Sequence, residues 1–240
     1  MSIKGKIAKF LNKREIQIDQ KLVDSLVEKE GVHSWFSYIV KERPNRWDVW
    51  ESSFWLASRL AASDPILETG CGIASNLIWF AQQGFTELYG TDIDDKLLSI
   101  AKQLNNSTGS NIHLWHEDGL KPKEFPRSDY KAIISLNWTF LVESFDLTKF
   151  LETYSTHLAK GGFMLIDIID KAYDQVENNQ YLTSDLHKPE KERAVSEYKK
   201  RYSESDVKTA AGVAGFEVVS ILGKKYNEKI PKYVYIFQKK

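Results

Sequence analysis

The chain has a single cysteine, no net charge and no long apolar run. Cys71 alone cannot form a disulfide within the chain, so the cysteine content does not indicate an oxidising compartment. Lys and Arg together number 33, and so do Asp and Glu, so no overall basic field exists to hold a nucleic-acid backbone. No stretch approaches the roughly 18 apolar residues of a membrane span, and the first residues lack a signal-like apolar segment. We therefore expect a cytoplasmic protein without a nucleic-acid or membrane partner.

The order of apolar patterns along the chain divides it into two predicted parts. Residues 1–62 predict a helical N-terminal cap, with apolar residues at helical spacing and Gly31 as a stop signal. Residues 63–240 predict a second domain, in which strands alternate with helices as in a mainly parallel sheet covered on both faces. The predicted strands are 66–68, 86–91, 111–115, 131–136 and 162–168, and the predicted helices between them are 75–83, 94–105 and 146–159. Polar residues 170–203 interrupt this alternation and predict a lid or a solvated surface excursion.

A glycine turn is the strongest local signal. Residues 65–74 read Pro-Ile-Leu-Glu-Thr-Gly-Cys-Gly-Ile-Ala. The short apolar run predicts a buried strand, and Gly70 and Gly72 permit a tight turn before a helix that begins near Ser75. That helix would present free amide donors to an anionic group. Asp92 follows the glycines by roughly twenty residues, where doubly wound folds bind a ribose diol, so the pattern predicts an adenosine-type ligand.

The acid that precedes the turn points to one class of such ligands. Glu68, two residues before Gly-Cys-Gly, resembles the first motif of class I S-adenosylmethionine-dependent methyltransferases. Further segments resemble the remaining landmarks of that family in the family's order: 89–94, 116–119, 131–137, 158–167 and 214–219. The resemblance covers about residues 60–240 and implies an α/β fold. This fold would be a doubly wound, seven-stranded, mainly parallel sheet with a C-terminal antiparallel hairpin and the N-terminal helical cap.

The same resemblance implies S-adenosyl-L-methionine as the cofactor and S-adenosyl-L-homocysteine as the product. The implied cofactor-binding residues are Glu68, Gly70, Cys71, Gly72, Asp92, Ile93, Asp118, Gly119 and Asn137. The first four would form the turn around the methionine part, with the cysteine as a small residue beneath the ligand. Asp92 would bind the ribose hydroxyls. Ile93, Asp118 and Gly119 would contact the adenine, and Asn137 would face the sulfonium.

Two other functions share parts of this pattern. A nicotinamide-binding domain, and with it an oxidoreductase, would require a third glycine or an alanine where this chain has Ser75, and it gives Glu68 no role. A binding or scaffold protein could keep the fold without catalysis, although the intact motifs weigh against a degenerate member.

Catalytic residues are less defined, because a methyl donor that is already reactive needs mainly positioning and exclusion of water. A base is needed if the acceptor is a hydroxyl or a protonated amine. The candidates are His33 in the cap, His116 after the third strand, and Asp170 and Tyr173 after the fifth. A surface or hydrogen-bonded structural role is the commoner one for any single histidine. No histidine and carboxylate cluster has metal-ligand spacing, so we expect no metal.

The acceptor is inferred from two features. Residues 137–140, Asn-Trp-Thr-Phe, lack the two prolines typical of enzymes that methylate amino groups of bases or glutamine. The cap contains four of the seven tryptophans, which either form its core or line a pocket. We expect methylation of an oxygen or nitrogen of a small molecule, such as a sugar or another biosynthetic building block. The oligomeric state is left open.

Overall fold

The structure is a computed structural model that describes residues 14–224 and 230–240. The chain divides into two compact units, Met1–Ile134 and Ser135–Lys240. Residues 1–13 of the predicted cap and 225–229 of the predicted C-terminal hairpin lie outside the described residues. In the described ranges, no helix is both long and apolar enough to cross a membrane.

The first unit begins with helices and continues as an alternating strand–helix region. Its helices are α1 Gln20–Glu30, α2 Trp35–Lys41, α3 Trp47–Ala57, α4 Ser75–Gln82 and α5 Asp95–Ser107. Its strands are β1 Ile66–Thr69, β2 Leu88–Asp92, β3 Ile112–His116 and β4 Tyr130–Ser135. Ser135, the last residue of β4, is the first residue of the second unit. The strand order is β3-β2-β1-β4, and every pair is parallel. All four residues of β1 are buried, as the apolar run predicts for a central parallel strand.

Local sequence signals explain where α1 begins and ends. The side chain of Asp19 caps its N-terminus by accepting a hydrogen bond from Lys21 N. Gly31 ends the helix in the left-handed region, with φ 64°, as predicted. Val23, Leu26 and Val27 form its buried face, and Leu22, which the helical spacing also placed on that face, is half-buried.

The second unit contains antiparallel strands. Its elements are α6 Leu147–Ser155, β5 Leu158–Asp170, β6 Arg201–Tyr202, α7 Glu204–Val213, β7 Phe216–Leu222 and β8 Lys232–Lys239. The strand β8 pairs antiparallel with both β5 and β7, and the two-residue β6 pairs parallel with the end of β5. The mixed α/β fold with a mostly parallel sheet, C-terminal antiparallel strands and N-terminal helices is therefore confirmed, with β6 added to the seven predicted strands.

Two predicted boundaries in the second unit are wrong. The helix predicted over 146–159 ends at Ser155, and the strand predicted over 162–168 begins four residues earlier, at Leu158. The Nζ of Lys239 donates to Ser155 O at 2.6 Å and to Leu158 O at 2.7 Å. The first bond satisfies a carbonyl group that the end of the helix leaves open, and the second holds the first residue of β5, so the chain can leave the helix there. His157 consequently lies in a turn, where its N–H donates to Tyr154 O, and not in a helix.

Candidate functional site

The glycine turn leaves β1 and enters α4 through three residues with left-handed backbone. The φ values are 65° at Gly70, 54° at Gly72 and 59° at Ala74. A Cβ placed on Gly72 would lie 3.1 Å from Cε1 of Phe36, a residue of α2. Glycine is therefore favoured at position 72 for its backbone angle and also for the space beside it. Cys71 is buried within the turn, and this burial raises the pKa of its thiol, so the thiol stays protonated and is a poor nucleophile.

Asp92 joins the turn to the end of β2. Its Oδ2 accepts a hydrogen bond from Gly72 N at 2.8 Å, and its Oδ1 accepts one from Asp94 N at 2.9 Å. The side chain is buried, and burial raises the pKa of its carboxyl above the usual range. The next residue, Ile93, is 61% exposed, which leaves an apolar side chain open to a ligand at this strand end. Asp92, which is predicted to bind the ribose, and Ile93, which is predicted to contact the adenine, thus both lie next to the glycine turn.

Glu68 lies on β1, two residues before the turn, and is 6% exposed. Its Oε1 accepts a hydrogen bond from Nδ2 of Asn76, a residue of α4, at 3.2 Å. Its Oε2 is buried and has no hydrogen-bond partner among the described residues, and we call it the open oxygen. Burial raises the pKa of Glu68 to about 8, although the nearby Arg43 and the bond from Asn76 oppose this shift. A buried acid with an open oxygen is suited to bind a cationic group.

Arg43 is a member of this site that our reading of the sequence missed. It lies in a 3₁₀ helix, Arg43–Asn45, and is only 2% exposed. Its Nη2 donates to Ser53 Oγ at 3.1 Å and to Asn76 Oδ1 at 3.3 Å. Asn76 therefore bridges Arg43 and Glu68. No sequence motif indicates that Arg43 is buried at this site, because an arginine in a polar stretch of sequence is normally expected to be solvent-exposed.

The third predicted motif lies beside the end of β2. Glu117 N donates to the backbone oxygen of Asp92 at 3.0 Å, which places Asp118 and Gly119 close to that strand end. Asp118 is half-buried, and its Oδ1 accepts from Leu120 N at 2.9 Å. The adjoining Glu117 is buried and accepts from Asp118 N and Glu124 N, so it holds the loop in shape.

A second polar cluster lies in the second unit, after β4. Asn137 has φ 67°, and its backbone N–H donates to both carboxylate oxygens of Asp167, at 2.9 and 3.0 Å. Asp167 is fully buried on β5 and pairs with Lys232 Nζ at 3.4 Å. The same Nζ donates to Asn137 Oδ1 at 3.0 Å. The predicted site residue Asn137 is thus held by two residues that the sequence analysis did not connect to it.

The four candidate catalytic residues each have a local contact. His33 is exposed, and its Nδ1 accepts from Trp35 N at 3.0 Å. His116 is also exposed, and its Nδ1 pairs with Asp95 Oδ1 at 2.9 Å. Asp170 accepts from Ala172 N at 2.7 Å and caps the 3₁₀ helix Lys171–Gln175. These contacts assign none of the three to an acceptor.

Tyr173 is 2% exposed and packs in an apolar cluster with Phe140 and Ile169. Its burial is what a core tyrosine shows, and it is the most enclosed of the four candidates. No group of three or more His, Cys, Asp or Glu that could hold a metal ion occurs within residues 14–224 and 230–240.

Comparison with known proteins agrees with this geometry. Residues 66–162 match the family model of a methyltransferase domain. This range contains β1 to β4, the glycine turn and Asp92. The comparison with curated proteins found no match.

Three solved structures with the same fold illustrate the likeness. The PH0226 protein from Pyrococcus horikoshii has a TM-score of 0.63 and 17% identity, over 83% of this chain and 92% of that chain. A S-adenosylmethionine-dependent methyltransferase from Clostridium acetobutylicum has a TM-score of 0.62 and 16% identity, over 86% and 98% of the two chains. Magnesium protoporphyrin IX methyltransferase from Synechocystis, solved with S-adenosylhomocysteine bound, has a TM-score of 0.59 and 15% identity, over 80% and 86%.

The domain match and the fold agree with each other. Residues 66–162 match a methyltransferase domain, and the solved structures above share the fold, so the predicted resemblance is confirmed. The domain match supports the predicted methyltransferase class, and the Synechocystis neighbour was solved with S-adenosylhomocysteine bound.

Proposed function

We propose that the protein transfers the methyl group of S-adenosyl-L-methionine to an oxygen or nitrogen of a small molecule, such as a sugar or another biosynthetic building block. The part of this proposal that concerns the methyl donor is supported by one observation, the pair of buried carboxyl side chains near the ends of β1 and β2. Glu68 keeps an open oxygen, and Asp92 is bonded to the backbone of the glycine turn. Two acids in these positions suit a ligand that has both an ammonium group and a ribose diol.

The donor residues are assigned by this geometry and by the family resemblance. Glu68 would accept from the ammonium of the methionine part, and the backbone of residues 70–72, with Cys71 beneath it, would leave room for the chain of that part. Asp92 would accept from the ribose hydroxyls. Ile93 would cover one face of the adenine, and the loop with Asp118 and Gly119 would contact its edge. When bound, the cofactor supplies an electrophilic methyl group on a sulfonium.

The chain's own task in the reaction is to orient two molecules and to exclude water. In the proposed division of the chain, residues 1–62 form a cap and residues 63–240 the methyltransferase domain. Residues 170–203 are proposed as a lid, since segments that follow a strand of such a sheet open at its carboxyl edge, where ligands bind. This segment folds on itself through an antiparallel bridge between Tyr181 and Val195.

The acceptor side rests on the resemblance and on residue chemistry. Asn137 is proposed to face the sulfonium, and its backbone is fixed by Asp167. If the acceptor loses a proton, the proposed bases are His33, His116, Asp170 and Tyr173. No partner beyond a small-molecule acceptor is proposed, and the proposed location is the cytoplasm.

The cofactor and the reaction are tested separately. Calorimetric titration with S-adenosylhomocysteine should show micromolar binding, whereas NADH at the same concentrations should show none. Incubation with the donor and pooled sugars, amines and phenols should then release S-adenosylhomocysteine with one acceptor pool. Binding of NADH alone would replace the proposal by an oxidoreductase. Binding of the donor without turnover against every small-molecule pool would favour the scaffold function.

A further inference from the structure

Lys232 is a residue of β8 to which the sequence analysis gave no role. Its strand pairs antiparallel with β5 in a register that sets Lys232 opposite Ile169 and Val234 opposite Asp167, so the side chains of Lys232 and Asp167 project from the same face of the sheet. The Nζ of Lys232 lies 3.4 Å from Oδ2 of Asp167, and only 15% of the lysine side chain is exposed. Lys232 is therefore a largely buried cation beside a fully buried anion.

The same ammonium also binds the side chain of Asn137. Its Nζ donates to Asn137 Oδ1 at 3.0 Å, and the amide atom that faces it must be the oxygen, because a lysine ammonium has donors only. The backbone N–H of Asn137 donates to both carboxylate oxygens of Asp167. Each of the three residues thus contacts the other two, and we call Asn137, Asp167 and Lys232 the polar triad.

The third member of the triad lies where a ligand is expected. An ion pair that only stabilises the fold needs no contact with a side-chain amide. Asn137 follows the carboxyl end of the parallel strand β4, and ligands bind outside the carboxyl ends of the strands in sheets of this kind. Its left-handed backbone, with φ 67°, is uncommon outside glycine, and such conformations cluster at functional sites. The polar triad therefore fixes both the backbone and the side chain of a residue at the binding edge.

We propose that Lys232 is a positioning residue for methyl transfer, which holds the side chain of Asn137 in one orientation while Asp167 holds its backbone. This inference rests on the proposed function, in which Asn137 faces the sulfonium. Lys232 acts through Asn137 and touches neither the donor nor the acceptor. Its effect on the rate follows from the need to align the reactants, because a small displacement of a group beside them is costly. Lysine suits the task, since one ammonium can donate to an amide and to a carboxylate at once.

The test uses two ligands that differ at the position of the reacting methyl group. S-adenosylhomocysteine has an uncharged sulfur there, whereas sinefungin has a carbon that carries an ammonium group. The proteins are the unaltered chain, Lys232→Met, which loses the charge, and Lys232→Arg, which keeps it. Lys239→Met is the matched control, because Lys239 lies on the same strand and donates to the backbone oxygens of Ser155 and Leu158.

A second variant covers a failure of Lys232→Met to fold. That substitution leaves the buried Asp167 without its cation, which is costly in stability. The double variant Asp167→Asn with Lys232→Met removes both charges and keeps an amide oxygen that can accept from Asn137 N. Thermal unfolding shows which variants are folded, and the folded one is used.

The proposal predicts a change in ligand preference while the donor site persists. Calorimetric affinity of Lys232→Met for S-adenosylhomocysteine should stay within about 3-fold of the unaltered chain. Its preference for sinefungin over S-adenosylhomocysteine should rise by roughly 5- to 10-fold, because a nearby cation is lost and Asn137 Oδ1 can then accept from the ligand's ammonium. Lys232→Arg should stay close to the unaltered chain, and Lys239→Met should match it.

Turnover should separate positioning from binding. With the pool of sugars, amines or phenols that gives turnover, Lys232→Met should lower kcat by roughly 10- to 100-fold and change KM by less than about 3-fold. Asn137→Gly removes the amide but keeps the backbone N–H and suits the left-handed angle. In that background Lys232→Met should lower kcat by less than about 3-fold, because the side chain through which Lys232 acts is absent.

The results that would overturn the proposal differ from failure of the proposed function. An unchanged sinefungin preference in a folded Lys232 variant would make Lys232 a structural residue, and this result decides even if no acceptor pool gives turnover. An equal loss of kcat with and without the Asn137 side chain would show that Lys232 does not act through Asn137. If the unaltered chain binds neither S-adenosylhomocysteine nor sinefungin, the proposed function itself fails.

Discussion

Two buried acids, one in each unit, have opposite surroundings. Glu68 in the first unit receives one hydrogen bond, from an amide, and keeps its open oxygen. Asp167 in the second unit receives two bonds from the backbone of Asn137 and pairs with Lys232. Both side chains are at least nine-tenths buried. Burial alone therefore does not distinguish an acid that stabilises the fold from one that is available to bind a ligand.

The difference lies in where the compensating charges come from. Asp167 finds its cation and its donors within the chain, so its interactions are complete before any ligand arrives. Glu68 shares Asn76 with Arg43, but Glu68 keeps its open oxygen, and Nε and Nη1 of Arg43 have no hydrogen-bond partner among the described residues. An incomplete buried pair costs stability, and natural proteins keep such costs mainly where function requires them. This comparison favours a ligand-binding role for Glu68, as proposed above, and a structural role for Asp167.

The largest expected effect concerns the structural acid. Asp167→Asn should reduce the free energy of unfolding by about 3 kcal/mol, because it leaves Lys232 without its buried counter-charge and weakens the bonds to Asn137 N. Asp170→Asn, the same substitution three residues along β5, should change it by less than about 0.5 kcal/mol, since asparagine can also cap a helix. Urea unfolding measures both. Equal stability of the two variants would contradict the structural role of Asp167.

The next prediction concerns the ligand-binding side of the comparison. Asp92→Asn should weaken S-adenosylhomocysteine binding by about 100-fold, because the variant loses the negative charge that accepts from ribose hydroxyls. The amide oxygen can still accept from Gly72 N or Asp94 N, so the turn should persist. Asp95→Asn, whose side chain is exposed, is the control and should bind normally. Unchanged calorimetric affinity in Asp92→Asn would remove this residue from the donor site.

The sequence predicted the parts of the site that are close together along the chain. A buried strand, a glycine turn and a helix follow one another within residues 65–82, and each has a local signal. Asp92 could be added because the spacing between two parallel strands of this fold is nearly constant. The alternation of strands and helices likewise predicted the sheet, because a buried parallel strand is recognisable from its own run of apolar residues.

The missed residues depend on contacts between distant parts of the chain. Arg43 and Glu68 are joined by Asn76, and no periodicity in the sequence reports that arrangement. Lys232 reaches Asn137 across 95 residues. The boundary error at Ser155 has the same origin, because the side chain that completes the helix end comes from Lys239. Tertiary contacts of this kind override local propensity.

A smaller effect should appear as a dependence of stability on pH. Burial raises the pKa of Glu68 to about 8 in the folded protein, compared with an ordinary value of 4.5. The unfolded chain therefore loses this proton first, and the contribution of Glu68 to stability declines as the pH rises from about 4.5 through 8. Glu68→Gln does not titrate there. Its stability relative to the unaltered chain should increase between pH 6 and 8, by roughly 2 kcal/mol.

Denaturant unfolding at several pH values measures this difference. Glu28→Gln, an exposed substitution in α1, should show no such trend. A constant difference between Glu68→Gln and the unaltered chain would mean that Glu68 is already ionised and fully compensated in the folded protein. Glu68→Gln should also lose donor affinity, which separates the ligand-binding acid from the structural one.

The smallest effect tests how closely the glycine turn is packed. Gly31 and Gly72 both have left-handed backbone, with φ 64° and 54°, but a Cβ on Gly31 would have nothing within 4 Å, whereas one on Gly72 would press on Phe36. Gly31→Ala should therefore cost about 1 kcal/mol of backbone strain alone. Gly72→Ala should cost roughly 1 kcal/mol more, because the phenyl ring must shift within a packed region. Unfolding of both variants without ligand gives the difference. Equal losses would show that Phe36 yields freely, and the turn would then depend on glycine for its backbone angle alone.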